Sequence, residues 1–315
     1  METINLTYPL KDDLIASLAK PQVLAIGQFD GLHLGHASVI ETAVKLAGEA
    51  GLPSAVMSFH PHPKEVMKKG DYEGYLTPPR EKERVLRGMG VDYLYIVEFN
   101  EAFSRVSPGD FVRGMLMPLQ TRTVVVGFDF HYGFRGEGNA EMLRELSGNT
   151  LDVHIVPPFL IEGEKVSSSD IRKALQEGNV RQVDRWLGRP YTMTGTVMHG
   201  EKRGRLLGFP TANLQLDEPY VLPAKGVYAV RVNYGGTSLS GVMNVGVKPT
   251  FHDDALRPSL EIHLFDFHSD LYGESLLVEV YEFIREERKF AGVDELVAQI
   301  TKDAETAKQL LSCED

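Results

Sequence analysis

The sequence predicts two folds in series: an α/β unit, then a small antiparallel β-barrel that ends in a helix. Three observations carry this. Up to about Leu187, short apolar runs alternate with stretches of helical spacing, the pattern of βαβ units on a parallel sheet. After that point short alternating strands follow one another closely with Gly-rich turns between them, the pattern of a barrel. The length, 315 residues, suits roughly two domains, each able to bury a core.

The elements follow from periodicity. In the first part, strands are expected at Val23–Ile26, Ala55–Phe59, Tyr93–Phe99, Val124–Val126 and His154–Val156. Between and after them, Ala37–Ala47 carries a stripe of Ala37, Val39, Ile40, Ala43, Val44 and Ala47 at helical spacing. Further helices are expected over Glu81–Met89, Gly109–Met117, Glu141–Leu146 and Asp170–Glu177. In the second part, Thr192–Met198, Val227–Tyr234, Thr237–Val245, Leu260–Phe267 and Leu276–Phe283 read as strands. Gly235-Gly236 between two of them is a two-residue hairpin signal. The tail is helical, with Val293, Leu296, Val297, Ile300, Ala304, Ala307 and Leu311 on one face. Gly188-Arg189-Pro190 punctuates the change, so the domains are expected at 1–187 and 188–315.

Composition narrows the class. Lys and Arg number 33 against 44 Asp and Glu, a net charge of −11. That disfavours a nucleic-acid binder and a binder of acidic membrane surfaces. Cys313 is the single cysteine, so no intrachain disulfide and no cysteine zinc site is expected. No apolar run reaches a membrane span, and the first residues lack a signal-peptide pattern. A cytoplasmic protein is expected. Glycine is slightly in surplus at 30 residues, and its placement is informative.

The most informative stretch is Val23–His36, VLAIGQFDGLHLGH. An apolar strand ends in Gly27; Phe29, Asp30 and Gly31 follow, then His33, Gly35 and His36 at the start of a helix. Glycines let backbone N–H groups approach a phosphate, and a helix N-terminus adds partial positive charge. His33 and His36, three apart, share a helical face and can both donate to one phosphate, stabilising charge that develops during transfer. The stretch is neither a Walker loop nor a dinucleotide fingerprint; it carries the H-x-G-H pattern of the nucleotidyltransferases. Taken alone it could also be a capped turn with two surface histidines.

A second element lies at Lys165–Arg172. Ser167 with Asp170 has the spacing of a capping box, a purely local role. Hydroxyls of Ser167, Ser168 and Ser169 with Arg172 at one helix start also make a phosphate clamp. His60-Pro61-His62 suggests a metal at first sight, but no third ligand stands at a standard spacing, which favours loop ordering. In the second part, Gly204-Arg205-Leu206-Leu207-Gly208-Phe209-Pro210-Thr211-Ala212-Asn213 is an irregular loop on a β scaffold. Thr and Asn oxygens suit a hard cation such as Mg²⁺, although an ordinary Gly/Pro loop reads the same way locally. Glu261 opens the alternating run Glu261–Phe267, and alternation by itself makes it a solvent-facing strand residue.

These segments together resemble the bacterial bifunctional riboflavin kinase/FMN adenylyltransferase family, also called FAD synthetases, over nearly the whole chain. The resemblance rests on G-x-F-D-G-x-H-x-G-H at Gly27–His36, Pro61-His62-Pro63, G-x-D-F-x-x-G at Gly127–Gly133 and S-S-x-x-I-R at Ser167–Arg172. It extends through Gly204–Asn213, Lys225–Tyr228 and the E-x-H-L-x-D-F segment from Glu261. It implies a Rossmann-like nucleotidyltransferase domain followed by a β-barrel of riboflavin kinase type. It implies that His33 and His36 act on the α-phosphate of ATP, with Gly27, Phe29, Asp30, Gly31, Gly35, Ser167, Ser168, Ser169 and Arg172 around the phosphates. His62, Asp129 and Arg285 become candidate flavin contacts; for Arg285 a surface charge network is an equal rival. Glu261 becomes the kinase's general base, Thr211 and Asn213 the Mg²⁺ ligands, and Gly204, Arg205, Gly208, Phe209, Pro210, Gly226 and Tyr228 the kinase's ATP contacts. Ser169 stands where the family usually has Thr, which keeps a hydroxyl, and Lys165 where some members have Arg.

The expected chemistry is therefore riboflavin with MgATP giving FMN, then FMN with a second ATP giving FAD and pyrophosphate. Two alternatives stand beside it: a nucleotidyltransferase for another phosphorylated substrate, and a non-catalytic flavin-responsive regulator. Oligomeric state is left open by the sequence.

Overall fold

The structure, a computed structural model of the chain, describes residues 1–68, 72–148, 150–200, 204, 207–249 and 256–312. Arg205, Leu206 and Cys313 lie outside the described residues. Two compact units result. Met1–Glu73 with Thr77–Ser167 form the first; Gly74–Leu76 with Ser168–Asp315 form the second.

The first unit runs β1 (Glu2–Leu6), α1 (Asp12–Leu18), β2 (Gln22–Ile26), α2 (Leu34–Ala50), β3 (Ser54–His60), α3 (Pro63–Val66), α4 (Pro79–Gly88) and β4 (Tyr93–Glu98). It continues through α5 (Pro108–Phe111), β5 (Thr121–Gly127), α6 (Ala140–Leu146), β6 (Asp152–Val156) and the small hairpin β7 (Leu160–Ile161) and β8 (Glu164–Lys165). Six strands form one sheet in the order β1-β4-β3-β2-β5-β6, and all pair in parallel. A parallel sheet is covered on both faces, so a central strand is apolar throughout. β2 shows this directly. Leu24 and Ile26 enter one core with Met57, Tyr95 and Val124, while Val23 and Ala25 enter the other with Val39, Ile40 and Ala43 of α2. Gly51, at φ 64°, ends α2 in the left-handed conformation that glycine tolerates.

The expected strands and helices up to Leu146 and Val156 are all present, and the structure adds β1, α1, α3, β7 and β8, while the helix expected over Asp170–Glu177 belongs to the second unit. β1 and α1 were not foreseen in the sequence, because β1 (ETINL) interrupts its apolar positions with polar ones and α1 is only seven residues long. The helix expected over Gly109–Met117 is α5 followed by a wider turn at Val112–Leu116, in which Met117 N bonds the Val112 carbonyl.

The second unit runs α7 (Ser168–Gln176), α8 (Val180–Leu187), β9 (Tyr191–Met198), β10 (Ala212–Leu216), β11 (Gly226–Tyr234), β12 (Thr237–Pro249), β13 (Leu256–Leu264), β14 (Ser275–Arg285) and α9 (Val293–Ser312). The strands close a barrel, β10-β13-β12-β11-β14-β9, with every pairing antiparallel. Gly235 and Gly236 both have positive φ, as a primed hairpin turn between β11 and β12 requires. Tyr75 adds a one-residue parallel bridge to Tyr220, which ties Gly74–Leu76 to this unit. Ala307 and Leu311 of α9 pack with Val227, Ala229 and Val242 on the outside of the barrel. Val293, assigned to that stripe by spacing, is 58% exposed because it opens the helix beyond the barrel's cover.

Candidate active sites

In the first unit, β2 delivers the chain to a tight turn. Phe29 and Leu32 adopt positive φ (48° and 45°) and Gly31 reaches 94°. Such strain persists only where the surroundings hold it. Phe29 is buried under the turn, and its ring is 5.4 Å from that of His36, edge to face. A Cβ at Gly27 would press into the Phe29 ring at 2.9 Å, so glycine is needed for that close approach. Asp30 is buried, and its Oδ1 accepts from the Thr77 amide at 3.2 Å.

His33 is the N-cap of α2. Its Nδ1 accepts from the His36 amide at 3.3 Å, which places the ring's N–H on Nε2. The two imidazoles stack with centroids 3.7 Å apart and planes 19° apart. Burial holds the His36 pKa well below its ordinary value, and the charges of His33, Lys82 and Lys165 push the same way. His36 is therefore neutral at pH 7. Its Nδ1 is buried with no hydrogen-bond partner among the described residues. A stacked pair of imidazoles at a helix start presents N–H donors to an anion.

Three residues of this site were missed in the sequence reading: Gln28, Ser58 and Lys82. Lys82, 5% exposed in the first turn of α4, donates to the Gln28 carbonyl and to Ser58 Oγ, each at 2.7 Å. No motif marks a lone Lys inside an amphipathic helix, so only the fold reveals it. His62 caps α3, with its Nδ1 accepting from Lys64 N at 3.1 Å and its ring 4.8 Å from Tyr72. That is loop ordering, and no group of three metal-ligating side chains occurs among the described residues. Asp129 pairs with Lys165 at 2.6 Å, and the same ammonium lies 4.5 Å over the Phe128 ring. Ser167 ends the first unit; Ser168, Ser169 and Arg172 lie in the first turns of α7.

In the second unit, one lateral row crosses the barrel wall. Asn213 faces Glu261, Glu261 faces Asn244, Asn244 faces Val227, and Val227 faces Arg285. Cross-strand partners share a face, so strand pairing alone gathers these side chains. A register shift between Val227 and Tyr228 lets Arg285 pair with Val227 while Phe283 pairs with Tyr228. A cavity of about 320 Å³ lies over Glu261, Asn244, Val227 and Arg285 of this row, with Thr211, His263, Leu296 and Asp303 among its other walls; Asn213, at the end of the row, is not one of its lining residues. α9 thus supplies one side of the cavity. Gly204 and Phe209 also line it. A Cβ at Gly204 would strike the Phe209 carbonyl oxygen, so the loop closes on itself only with glycine there. His263 was quoted in a motif but given no role; its Nδ1 donates to the Pro210 carbonyl at 2.8 Å and pins that loop.

Not every residue named from sequence presents its side chain. Tyr228 is fully buried, its hydroxyl donating to the Ala224 carbonyl at 2.5 Å. Gly226 allows a close approach: a Cβ there would meet the Arg285 carbonyl oxygen at 2.5 Å. Gly208 has a positive φ of 83°. Arg285 is held by Asp303 and by the Glu286 carbonyl, the charge network that rivalled a flavin contact.

Fold and sites define the class: an α/β nucleotidyltransferase-type unit in series with a kinase-type barrel. The family model for FAD synthetase matches residues 15–170, and that for riboflavin kinase matches residues 187–311. The chain is 41% identical to the bifunctional riboflavin kinase/FMN adenylyltransferase of Listeria monocytogenes, over 98% of each chain. It is 42% identical to the protein of that name from Bacillus subtilis, over 99% of each. A solved structure from Streptococcus pneumoniae, described as a macrolide-efflux protein, matches with a TM-score of 0.86 at 33% identity, covering 97% of this chain and 98% of its own. Among the described residues no helix is long and apolar enough to cross a membrane, and that likeness is one of fold. The chain belongs to the bifunctional riboflavin kinase/FMN adenylyltransferase family.

Proposed function

We propose that this chain phosphorylates riboflavin to FMN with residues 188–315, which hold the barrel, and adenylylates FMN to FAD with residues 1–187, which hold the parallel sheet together with α7 and α8. The observation that carries this is the cross-barrel row under α9 in a chain that also holds the stacked His33–His36 pair at the start of α2.

In the barrel, Glu261 takes the proton of the ribityl 5′-hydroxyl as that oxygen attacks the γ-phosphorus of ATP; the bond to the β-phosphate oxygen breaks and ADP leaves. Thr211 lines the cavity, and Asn213 is the strand partner of Glu261. Hard neutral and anionic oxygens of this kind fit Mg²⁺, which keeps water and phosphate ligands besides. Thr211 and Asn213 would hold that ion, which neutralises phosphate charge when bound. Gly204, Gly208, Phe209 and Pro210 shape the loop over the nucleotide. In the α/β unit, a phosphate oxygen of FMN attacks the α-phosphorus of ATP, and the bond to the bridging oxygen breaks to release pyrophosphate. His33 and His36 hydrogen-bond the α-phosphate oxygens, and Ser167, at the end of the same unit, offers a hydroxyl to phosphate. The acidic chain meets phosphate locally, which suits small-molecule substrates and a cytoplasmic setting.

One incubation tests the reading. Protein, riboflavin, ATP and Mg²⁺ are separated by chromatography; FMN followed by FAD is expected. FMN supplied alone with ATP should also yield FAD. Failure to form either flavin would refute it.

A further inference from the structure

Beneath the Gly27–Leu32 turn lies a buried ammonium with a definite job. Lys82 of α4 reaches under the turn and donates to Gln28 O and Ser58 Oγ, each at 2.7 Å. Ser58 Oγ donates to the same Gln28 carbonyl at 2.9 Å, and Gln28 Nε2 donates to the Phe59 carbonyl at 3.1 Å. One side chain thus ties the end of β2, the end of β3 and the start of α4 at a single point. The residue next after Gln28 is Phe29, the first of the positive-φ positions, and its ring backs His36. A buried charge is costly unless it is paired, so an ammonium in this place calls for an explanation beyond packing.

We infer that Lys82 is a charged positioning residue for adenylyl transfer: it fixes the phosphate turn through Gln28 and supplies positive field beneath the His33–His36 pair. This rests on the adenylyltransferase reading of that site. The groups whose charge bears on the position are Asp30 in the turn, His36 on α2 and His60 on β3, with Lys165 acting on His36 as well. Asp30 favours the ammonium, while the ammonium disfavours protonation of both His36 and His60. By the same sign it favours a phosphate oxyanion arriving beside His36.

Burial lowers the Lys82 pKa from 10.5 to about 8. Above that pH the neutral amine still has two N–H donors, enough for Gln28 and Ser58, but the field is gone. Stability moves the other way. Between pH 8 and 10.5 the unfolded chain holds this proton and the folded chain does not, so the contribution of Lys82 to stability rises with pH. Loss of activity in that window is therefore not a destabilisation caused by the titration of Lys82 itself, and the phosphorylation control reports on the fold of the chain as a whole.

The test is kcat/KM for FAD formation from FMN and ATP against pH, with riboflavin phosphorylation by the same full chain as the internal control. For the wild type we expect a fall above about pH 8 that the phosphorylation does not share. Lys82→Met should lower adenylylation at pH 7 by about 10- to 100-fold, the scale of a misplaced turn, and remove the alkaline fall. Lys82→Arg, which cannot deprotonate, should retain more activity than Lys82→Met and hold it past pH 9. His36, followed by nitrogen-detected NMR, should titrate at a higher pH in Lys82→Met. Wild-type adenylylation that stays level through pH 9.5 would overturn the inference whether or not a variant folds. So would a Lys82→Met protein with wild-type adenylylation. Absence of FAD formation by the wild type at pH 7 would instead refute the reading on which the inference rests.

Discussion

Arg285 on β14 and Asp303 on α9 form a two-pronged ion pair, with Nη2 2.7 Å from Oδ2 and Nε 3.0 Å from Oδ1. Gln299 Nε2 adds a bond to Oδ1 at 2.6 Å. The carboxylate side chain is 4% exposed and the guanidinium 20%, and both residues line the barrel cavity. The pair is therefore the polar clamp that holds one wall of that cavity on the barrel.

Removing one partner of a buried pair leaves the other charge uncompensated. Asp303→Ala should lower the stability of the second unit by about 3 kcal/mol. Trp186, the single tryptophan, lies in that unit on α8 and reports its unfolding in urea. KM for riboflavin should rise as α9 loosens. A change of stability under about 0.5 kcal/mol, the size of a surface substitution, would show that the apolar contacts of Ala307 and Leu311 hold the helix without the clamp.

The two chemistries should separate cleanly by mutation. His36→Ala should cut FAD formation by roughly 100- to 1000-fold, the loss of one oxyanion donor, while FMN accumulates. Glu261→Ala should cut riboflavin phosphorylation by about 100- to 10,000-fold, the contribution of a general base, while added FMN is still converted. Chromatography of both products from each variant decides it. A folded variant that lost both activities would sink the two-site assignment.

Gly35 offers a test of geometry without loss of a functional group. A Cβ there would stand 3.1 Å from Cε1 and 3.2 Å from Nδ1 of His33, so the imidazole must give way by a few tenths of an ångström. Alanine gains up to about 1 kcal/mol over glycine inside a helix. Gly35→Ala should thus leave α2 at least as stable and still reduce adenylylation several-fold, on a scale where a 1 Å misplacement costs roughly 100-fold. Unchanged FAD formation in that variant would show that His33 tolerates displacement.

The fold was legible where periodicity was strong. β2 carries an unbroken apolar run because both its faces are buried, and α2 carries a clear stripe because one face is. β10 was missed because the Gly-Phe-Pro-Thr-Ala-Asn motif runs straight into it and reads as loop until Leu214 finds the barrel interior. The histidine pair was legible because its spacing matches one helical turn. The cross-barrel row was not, because Asn213, Glu261, Asn244 and Arg285 are far apart in sequence and meet only through strand register. Lys82 was invisible for a related reason: burial, not residue type, gives it its role.

Acid should weaken the first unit in a way His36 controls. Its folded-state pKa lies well below 6.5, so the unfolded chain takes up the proton first as pH falls. The stabilising contribution is full above about pH 6.5 and is lost progressively below it; His60, lowered by its own burial, adds to the same window. Protection factors of the α2 and β2 amides, which correct for the intrinsic pH dependence of exchange, should therefore fall between about pH 6.5 and 5. His36→Gln, which has no such proton to refuse, should show a shallower fall over that interval. Adenylylation by the wild type should keep its His36 neutral and its rate level well below pH 6.5. A parallel fall of protection in wild type and His36→Gln would assign the acid sensitivity to carboxylates instead, and would place the His36 pKa in its ordinary range.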